Sequence, residues 1–217
     1  MLEVGAGTGA ITSDLHQLSS ARIYGLDLEP ERMAFAHQFD PRTRFSAGDG
    51  LNLPFPPAAF DIAYCHFLLL WVARPLEALL EMVRVVRPGG YVLVLAEPDY
   101  GGRIDYPIEL SRLGRFQTEA LRSQGAGPER GRELGALFLS TGIQEIEVGV
   151  LGGRWQVPAQ VEDWEAEWAI LEYDLEGSVT AEELARWKET DRRAWERGER
   201  ILFVPTFYAW GRTPGGR

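Results

Sequence analysis

The residues with the clearest chemical meaning stand at the start of the chain. Gly5, Gly7 and Gly9 occupy alternate positions in the run Leu2-Glu3-Val4-Gly5-Ala6-Gly7-Thr8-Gly9. Leu2 to Val4 read as the end of a buried strand, and Ala10, Ile11, Leu15 and Leu18 follow at helical spacing. A strand, a glycine turn and a helix form the setting in which a nucleotide-like ligand meets a helix N-terminus, because glycine lets the backbone approach the ligand closely. The dinucleotide fingerprint GxGxxG is absent, since its third glycine position is Ala10. Asp27 ends the next apolar run, where a carboxylate can accept hydrogen bonds from both ribose hydroxyls. The competing reading of Asp27 is a helix-capping aspartate. Cys65 and His66 follow another apolar run, at the strand end outside which ligands gather in doubly wound sheets. His66 is either a general base or a buried histidine satisfied by backbone. No partner base marks Cys65 as a nucleophile.

Leu2 to Gly9 resembles the first motif of class I S-adenosylmethionine-dependent methyltransferases, GxGxG with an acidic residue two positions before the first glycine. Two further stretches resemble the same family. Gly48-Asp49-Gly50-Leu51-Asn52-Leu53-Pro54-Phe55-Pro56 is similar to its adenine-site loop, although Gly-Asp-Gly is also an ordinary turn. Arg84 to Pro98, RVVRPGGYVLVLAEP, is similar to its post-helix motif. The resemblance implies S-adenosylmethionine as cofactor and methyl transfer to an O, N, C or S atom of a small-molecule acceptor by in-line displacement. It looks most like the branch typified by quinone-biosynthesis and natural-product methyltransferases. It further implies that Gly5, Ala6, Gly7 and Gly9 approach the cofactor, that Glu3 orders its methionine end, and that Asp27 with Leu28 holds the ribose. Asp49 would face the adenine amine, with Gly48 and Gly50 shaping the loop. Backbone around Cys65 would face the methionine part, and His66 would stand near the transferable methyl group.

These residues need a scaffold, and the resemblance implies a Rossmann-like α/β fold. Its doubly wound seven-stranded sheet has order 3-2-1-4-5-7-6, one late strand inserted antiparallel, and helices on both faces. The sequence pattern predicts helices over 8–19, 31–39 and 75–86, and strands over 22–26, 43–46, 60–64 and 91–96. The strand YVLVLA lacks alternation, as expected when both faces are covered. Arg87-Pro88-Gly89-Gly90 reads as the stop between helix and strand. Residues 97–107 read as a polar and aromatic loop in which Tyr100, Arg103 and Tyr106 are candidate substrate contacts; the alternative is a solvated connector. Helices are predicted over 110–123 and 129–141, and a strand over 143–150. An insertion over 154–200 carries Trp155, Trp164, Trp168, Tyr173, Trp187 and Trp195. Its helices cover 161–175 and 181–197, the second opened by a Thr180-x-x-Glu183 capping box. Its tryptophans either pack those helices or form an aromatic lid over the acceptor. A final strand is predicted over 203–210 with Pro205 as a bulge, followed by a loose tail over 211–217. The expected organisation is one domain over 1–217: a cofactor core at 1–98, with covering segments at 99–142 and 151–200.

The bulk numbers bound the function. The 217 residues, 45% hydrophobic, suffice for one α/β domain. A formal net charge of -10 repels phosphate backbones, so no nucleic-acid partner is expected. The single cysteine and three scattered histidines give no metal-ligand spacing and point to a reducing, cytoplasmic setting. No apolar run is long enough to span a bilayer, and no signal peptide is visible. Family members usually carry a helix and the strand's beginning before the first motif, whereas Met1 stands inside that strand. Two rival functions are a non-catalytic binding protein on the same fold and a nicotinamide-dependent oxidoreductase.

Overall fold

The computed structural model describes residues 1–153 and 161–215, with backbone alone for 161–163. Trp155 lies outside the described residues, as do Gly216 and Arg217. The first half alternates strand and helix: β1 Leu2–Val4, α1 Ala10–Leu18, β2 Tyr24–Asp27, α2 Pro30–Phe39, β3 Arg44–Ala47, β4 Phe60–Cys65, α3 Pro75–Val85 and β5 Val86–Pro98. The second half holds β6 Ile104–Tyr106, α4 Ser111–Ser123, α5 Arg130–Ser140, β7 Gln144–Leu151, α6 Val161–Asp174, α7 Ala181–Glu196, β8 Ile201–Phe203 and β9 Thr206–Arg212.

Seven strands form one sheet in the order β3-β2-β1-β4-β5-β9-β7. The first five run parallel, and β9 enters antiparallel to both β5 and β7. This is the expected 3-2-1-4-5-7-6 order, with β7 and β9 as its sixth and seventh strands. The short β1 is central: Leu2 pairs with Tyr24 on one side and Ala63 on the other. The main core fills the space between the sheet and α3 and α5, and includes Leu2, Val4, Leu79, Met82, Val92, Leu134 and Phe138, each at most 1% exposed. That burial is the main stabilising term. A separate core joins α4, α6 and α7 around Trp168, Leu113, Leu171 and Leu175.

Four expectations are corrected. The final strand over 203–210 is two strands, because Pro205 has no N–H for a ladder; β8 leaves to pair with β6, and β9 begins at Thr206. The 97–107 segment is accordingly not all loop: β5 extends to Pro98, and β6 forms the second, two-stranded sheet with β8. The Arg87–Gly90 stretch is not a loop between helix and strand but part of β5, with Val86 paired to Phe60. Gly90 passes so close to β4 that a Cβ there would lie 2.5 Å from the Asp61 carbonyl oxygen. Finally, Gly211 and Arg212 belong to β9, and Thr213 exchanges backbone hydrogen bonds with Gly89 and Gly90, so these residues are not a loose tail.

Candidate functional site

The C-terminal ends of β1, β2 and β3 bring the first predicted residues together. The glycine turn bonds to β2 through the N–H groups of Gly5 and Ala6, which both donate to the Leu26 carbonyl at 2.7 and 2.9 Å. Gly7 has φ +51, a left-handed conformation, and an added Cβ would meet nothing within 4 Å. Gly5 also has positive φ but serves packing, since a Cβ there would lie 2.7 Å from Leu68 Cδ1. The turn is therefore open at its middle glycine and closely packed at the first.

Asp27, half-buried at the end of β2, reaches across to this turn. Its Oδ2 accepts from the Gly7 N–H at 2.9 Å and its Oδ1 from the Glu29 N–H at 3.1 Å. The Glu29 contact closes a turn two residues long and is not a helix cap, since Glu29 is itself the N-cap of α2 and no side chain caps that helix; the Gly7 contact sets the glycine turn. Each carboxylate oxygen keeps a further lone pair for an outside donor. Leu28 beside it is 71% exposed. The third loop joins at the same place: Gly48 N–H donates to the Asp27 carbonyl at 2.8 Å, and a Cβ on Gly50 would lie 3.1 Å from Val4. Asp49 Oδ1 accepts from the Leu51 N–H at 2.8 Å, which fixes this loop as a tight turn.

Glu3 is 1% exposed, and its Oε2 accepts hydrogen bonds from the hydroxyls of Thr12 and Tyr64. It ties α1 to β4 from inside the sheet. Burial raises its carboxyl to about 7, against the lowering effect of those donors. Cys65 is fully buried, and burial pushes its thiol up, which leaves it unreactive. His66 follows at the end of β4, half-buried, with its ring 4.4 Å from that of Phe67. Burial lowers its pKa, so the imidazole is neutral at pH 7 and able to accept a proton.

The three candidate substrate contacts have different surroundings. Tyr100 packs against Leu70, Leu121 and Ala126, and burial raises its phenol pKa. Arg103 spends its charge inside the fold, on Asp105 at 2.8 Å and on the Gln117 side chain. Tyr106 on β6 is 52% exposed. Three contributors went unnoticed in the sequence. Thr12 and Tyr64 are ordinary core residues until Glu3 is seen between them, and Glu97 carried one signal, an acid closing the apolar run YVLVLA. A cavity of about 330 Å³ lies elsewhere, at the start of β2 and β3, lined by His16, Arg22, Tyr24, Arg42 and Arg44 among others. It gathers none of the predicted residues. Among the described residues no cluster of potential metal ligands occurs, and no helix is long and apolar enough to cross a membrane.

Comparison with known proteins bears on the fold and on the family of the first half of the chain. Residues 2–94 match a family model described as a methyltransferase domain. Over 103 residues the chain is 35% identical to the demethylmenaquinone methyltransferase of Deinococcus radiodurans, covering 45% of this chain and 43% of that protein. The chain spans about half or less of the length of the curated relatives it matches. Among solved structures, the [4+2]-cyclase SpnF superposes with TM-score 0.64 at 20% identity, covering 99% of this chain and 75% of that one. Phosphoethanolamine N-methyltransferase 2 of Haemonchus contortus, in complex with phosphomonomethylethanolamine and S-adenosylhomocysteine, gives 0.63 at 16% identity, covering all of this chain and 49% of that one. At these identities the likeness establishes the fold alone: a Rossmann-like α/β sheet with helices packed on it.

Proposed function

We propose, from the match of residues 2–94 to a methyltransferase-domain model, that this chain transfers the methyl group of S-adenosylmethionine to a small-molecule acceptor. The observation that carries this reading is the latch between Asp27 and the Gly7 N–H at a turn with open space over Gly7. It sets a carboxylate beside a backbone that a nucleoside can approach, and the Gly48–Gly50 loop hangs from the same residue.

The roles follow from these positions. Gly5, Ala6, Gly7 and Gly9 form the surface on which the cofactor lies. Asp27 accepts from the ribose hydroxyls, with exposed Leu28 beside it. Asp49 accepts from the adenine amine, its loop shaped by Gly48 and Gly50. Glu3 acts from beneath, by holding α1 against β4, and the backbone at Cys65 faces the methionine part. When bound, the cofactor supplies a methyl group already activated by a sulfonium, so the protein's task is alignment and exclusion of water. Neutral His66 takes a proton from an acceptor hydroxyl or amine; an acceptor that is already anionic needs no such base. Tyr100, Arg103 and Tyr106 line the acceptor side, Arg103 by orienting Asp105 and Gln117 rather than as a free cation. Residues 1–98 form the cofactor core, and 99–142 with the described residues of 151–200 form the acceptor cover. The relatives' names favour a small organic acceptor, and the acidic surface disfavours nucleic acid. The lone buried thiol fits a cytoplasmic setting.

The test is incubation with methyl-labelled S-adenosylmethionine and a panel of phenols, quinols, amines and carboxylates. Label transfer with release of S-adenosylhomocysteine, reduced in His66→Ala for hydroxyl acceptors, supports the proposal. Tight cofactor binding without transfer across the panel would favour a binding protein instead.

A further inference from the structure

Glu97 lies at the end of β5, is 0% exposed, and makes no ion pair at contact distance among the described residues. Its carboxylate takes three consecutive backbone donors from the turn after β4. Oε1 accepts from the N–H groups of Leu68 at 2.9 Å and Leu69 at 2.6 Å, and Oε2 accepts from Leu70 at 3.0 Å. A buried carboxylate devoted to three amides of one turn fixes that turn, because each such bond is charge-assisted and none has water as a substitute. Phe67, just before, is held in the left-handed region at φ +49, with its N–H on the Ala96 carbonyl at 2.9 Å.

The clamped turn touches both halves of the site. Leu68 packs against Gly5, so closely that a Cβ on Gly5 would meet it at 2.7 Å. The Leu70 carbonyl accepts from the Gly127 N–H at 2.6 Å, and the Leu69 carbonyl from Arg130 Nε at 3.3 Å. Helix α5 also closes directly on Glu97, since a Cβ on Gly131 would lie 2.6 Å from the Glu97 carbonyl oxygen.

We propose that Glu97 is a positioning residue: by clamping Leu68–Leu70 it holds the glycine turn and the 126–130 loop of the cover in one arrangement. As a role in methyl transfer this rests on the cofactor reading above; as a mechanical link it does not. Burial raises the Glu97 carboxyl to about 7 against the lowering effect of the three amides and of the nearby Arg130 charge. Glu97→Gln keeps one oxygen acceptor but turns an NH2 group toward amides that only donate, so at least one bond is lost.

The experiment is hydrogen exchange on the ligand-free protein, with calorimetric titration of S-adenosylhomocysteine beside it. In Glu97→Gln, exchange should rise about tenfold or more at residues 66–71 and also at 5–9 and 126–130, and S-adenosylhomocysteine affinity should fall about tenfold. Met82→Ala, a destabilised control in the main core on α3, should not produce that three-part pattern. Leu68→Ala leaves the clamp in place and should loosen 5–9 while sparing 126–130; it decides the matter if Glu97→Gln does not fold. Exchange changes confined to 66–71, or the same pattern in Met82→Ala, would overturn the proposal. If the wild type binds no S-adenosylhomocysteine, the cofactor reading fails, and the exchange data still decide the link.

Discussion

Asp191 on α7 anchors the second core, which α4, α6 and α7 share. It is 3% exposed and gathers three donors: Trp164 Nε1 at 2.7 Å and Trp168 Nε1 at 2.6 Å on Oδ2, and Arg200 Nε at 2.6 Å on Oδ1. Trp168 is fully buried and the Arg200 side chain is 10% exposed, so neither finds water if the carboxylate goes. Arg200 keeps its ion pair with Glu167 at 2.6 Å, which limits the damage. An unsatisfied indole N–H costs about 1–3 kcal/mol. A buried charge stripped of one partner costs about 3–5 kcal/mol when it has no other. With Glu167 retained, Asp191→Ala should therefore cost about 3–5 kcal/mol in all, or a fall in Tm of about 10 °C. Asp191→Asn keeps an acceptor for the indoles but loses the charge, and should cost about half as much. The assay is thermal unfolding followed by tryptophan fluorescence, which reports the cover, and by far-UV circular dichroism. Fluorescence should move to lower temperature in Asp191→Ala by more than the dichroism signal does. A fall under about 3 °C, or equal shifts by both probes, would refute the argument that this carboxylate anchors a distinct core.

Other outcomes follow from the buried groups. Glu3 and Glu97 both have carboxyls raised from 4.5 to about 7, so the folded chain holds protons that the unfolded chain releases between those values. Their contribution is full below about pH 4.5 and falls by about 3 kcal/mol per group as pH rises to 7. Asp40 has the opposite sign: hydrogen bonds from His16, Arg42 and Thr43 outweigh burial and lower its pKa, so its contribution is lost in acid. Urea midpoints should therefore be higher at pH 5 than at pH 8, with the difference about halved in Glu3→Gln; a midpoint that rises from pH 5 to 8 would contradict this. Thr180→Ala removes the side-chain acceptor for the Glu183 N–H in a complete capping box, and should cost about 1 kcal/mol in chemical denaturation. Cys65, fully buried, should resist alkylation in the native protein and react only in denaturant; fast native labelling would show that the end of β4 opens.

Apart from the 87–90 stretch and the end of β5, the elements of the first hundred residues were legible because their constraints are local. A glycine turn must follow a strand and precede a helix, and an acid at a strand end lies at the ligand-binding edge of a parallel sheet. Strand order followed from family resemblance, since periodicity alone does not order strands. Beyond Glu97 the sequence was less explicit. Pro205 was visible as a strand disturbance, but that Ile201–Phe203 leaves the main sheet to pair with Ile104–Tyr106 depends on contacts a hundred residues apart. Arg103 shows why charge alone misleads: its nearest acid, Asp105, is two residues away in sequence and consumes it. Glu3 and Glu97 were visible as acids in apolar surroundings, but their partners Thr12, Tyr64 and the 68–70 amides come from other elements.

The most direct measurement is calorimetric titration of the purified chain with S-adenosylhomocysteine, with Asp27→Ala beside the wild type and NADH as the competing ligand class. Micromolar binding, about -8 kcal/mol, is expected, weakened tenfold or more in Asp27→Ala, with no heat from NADH. A folded wild type that binds NADH, or that binds S-adenosylhomocysteine equally well without the Asp27 carboxylate, would contradict it.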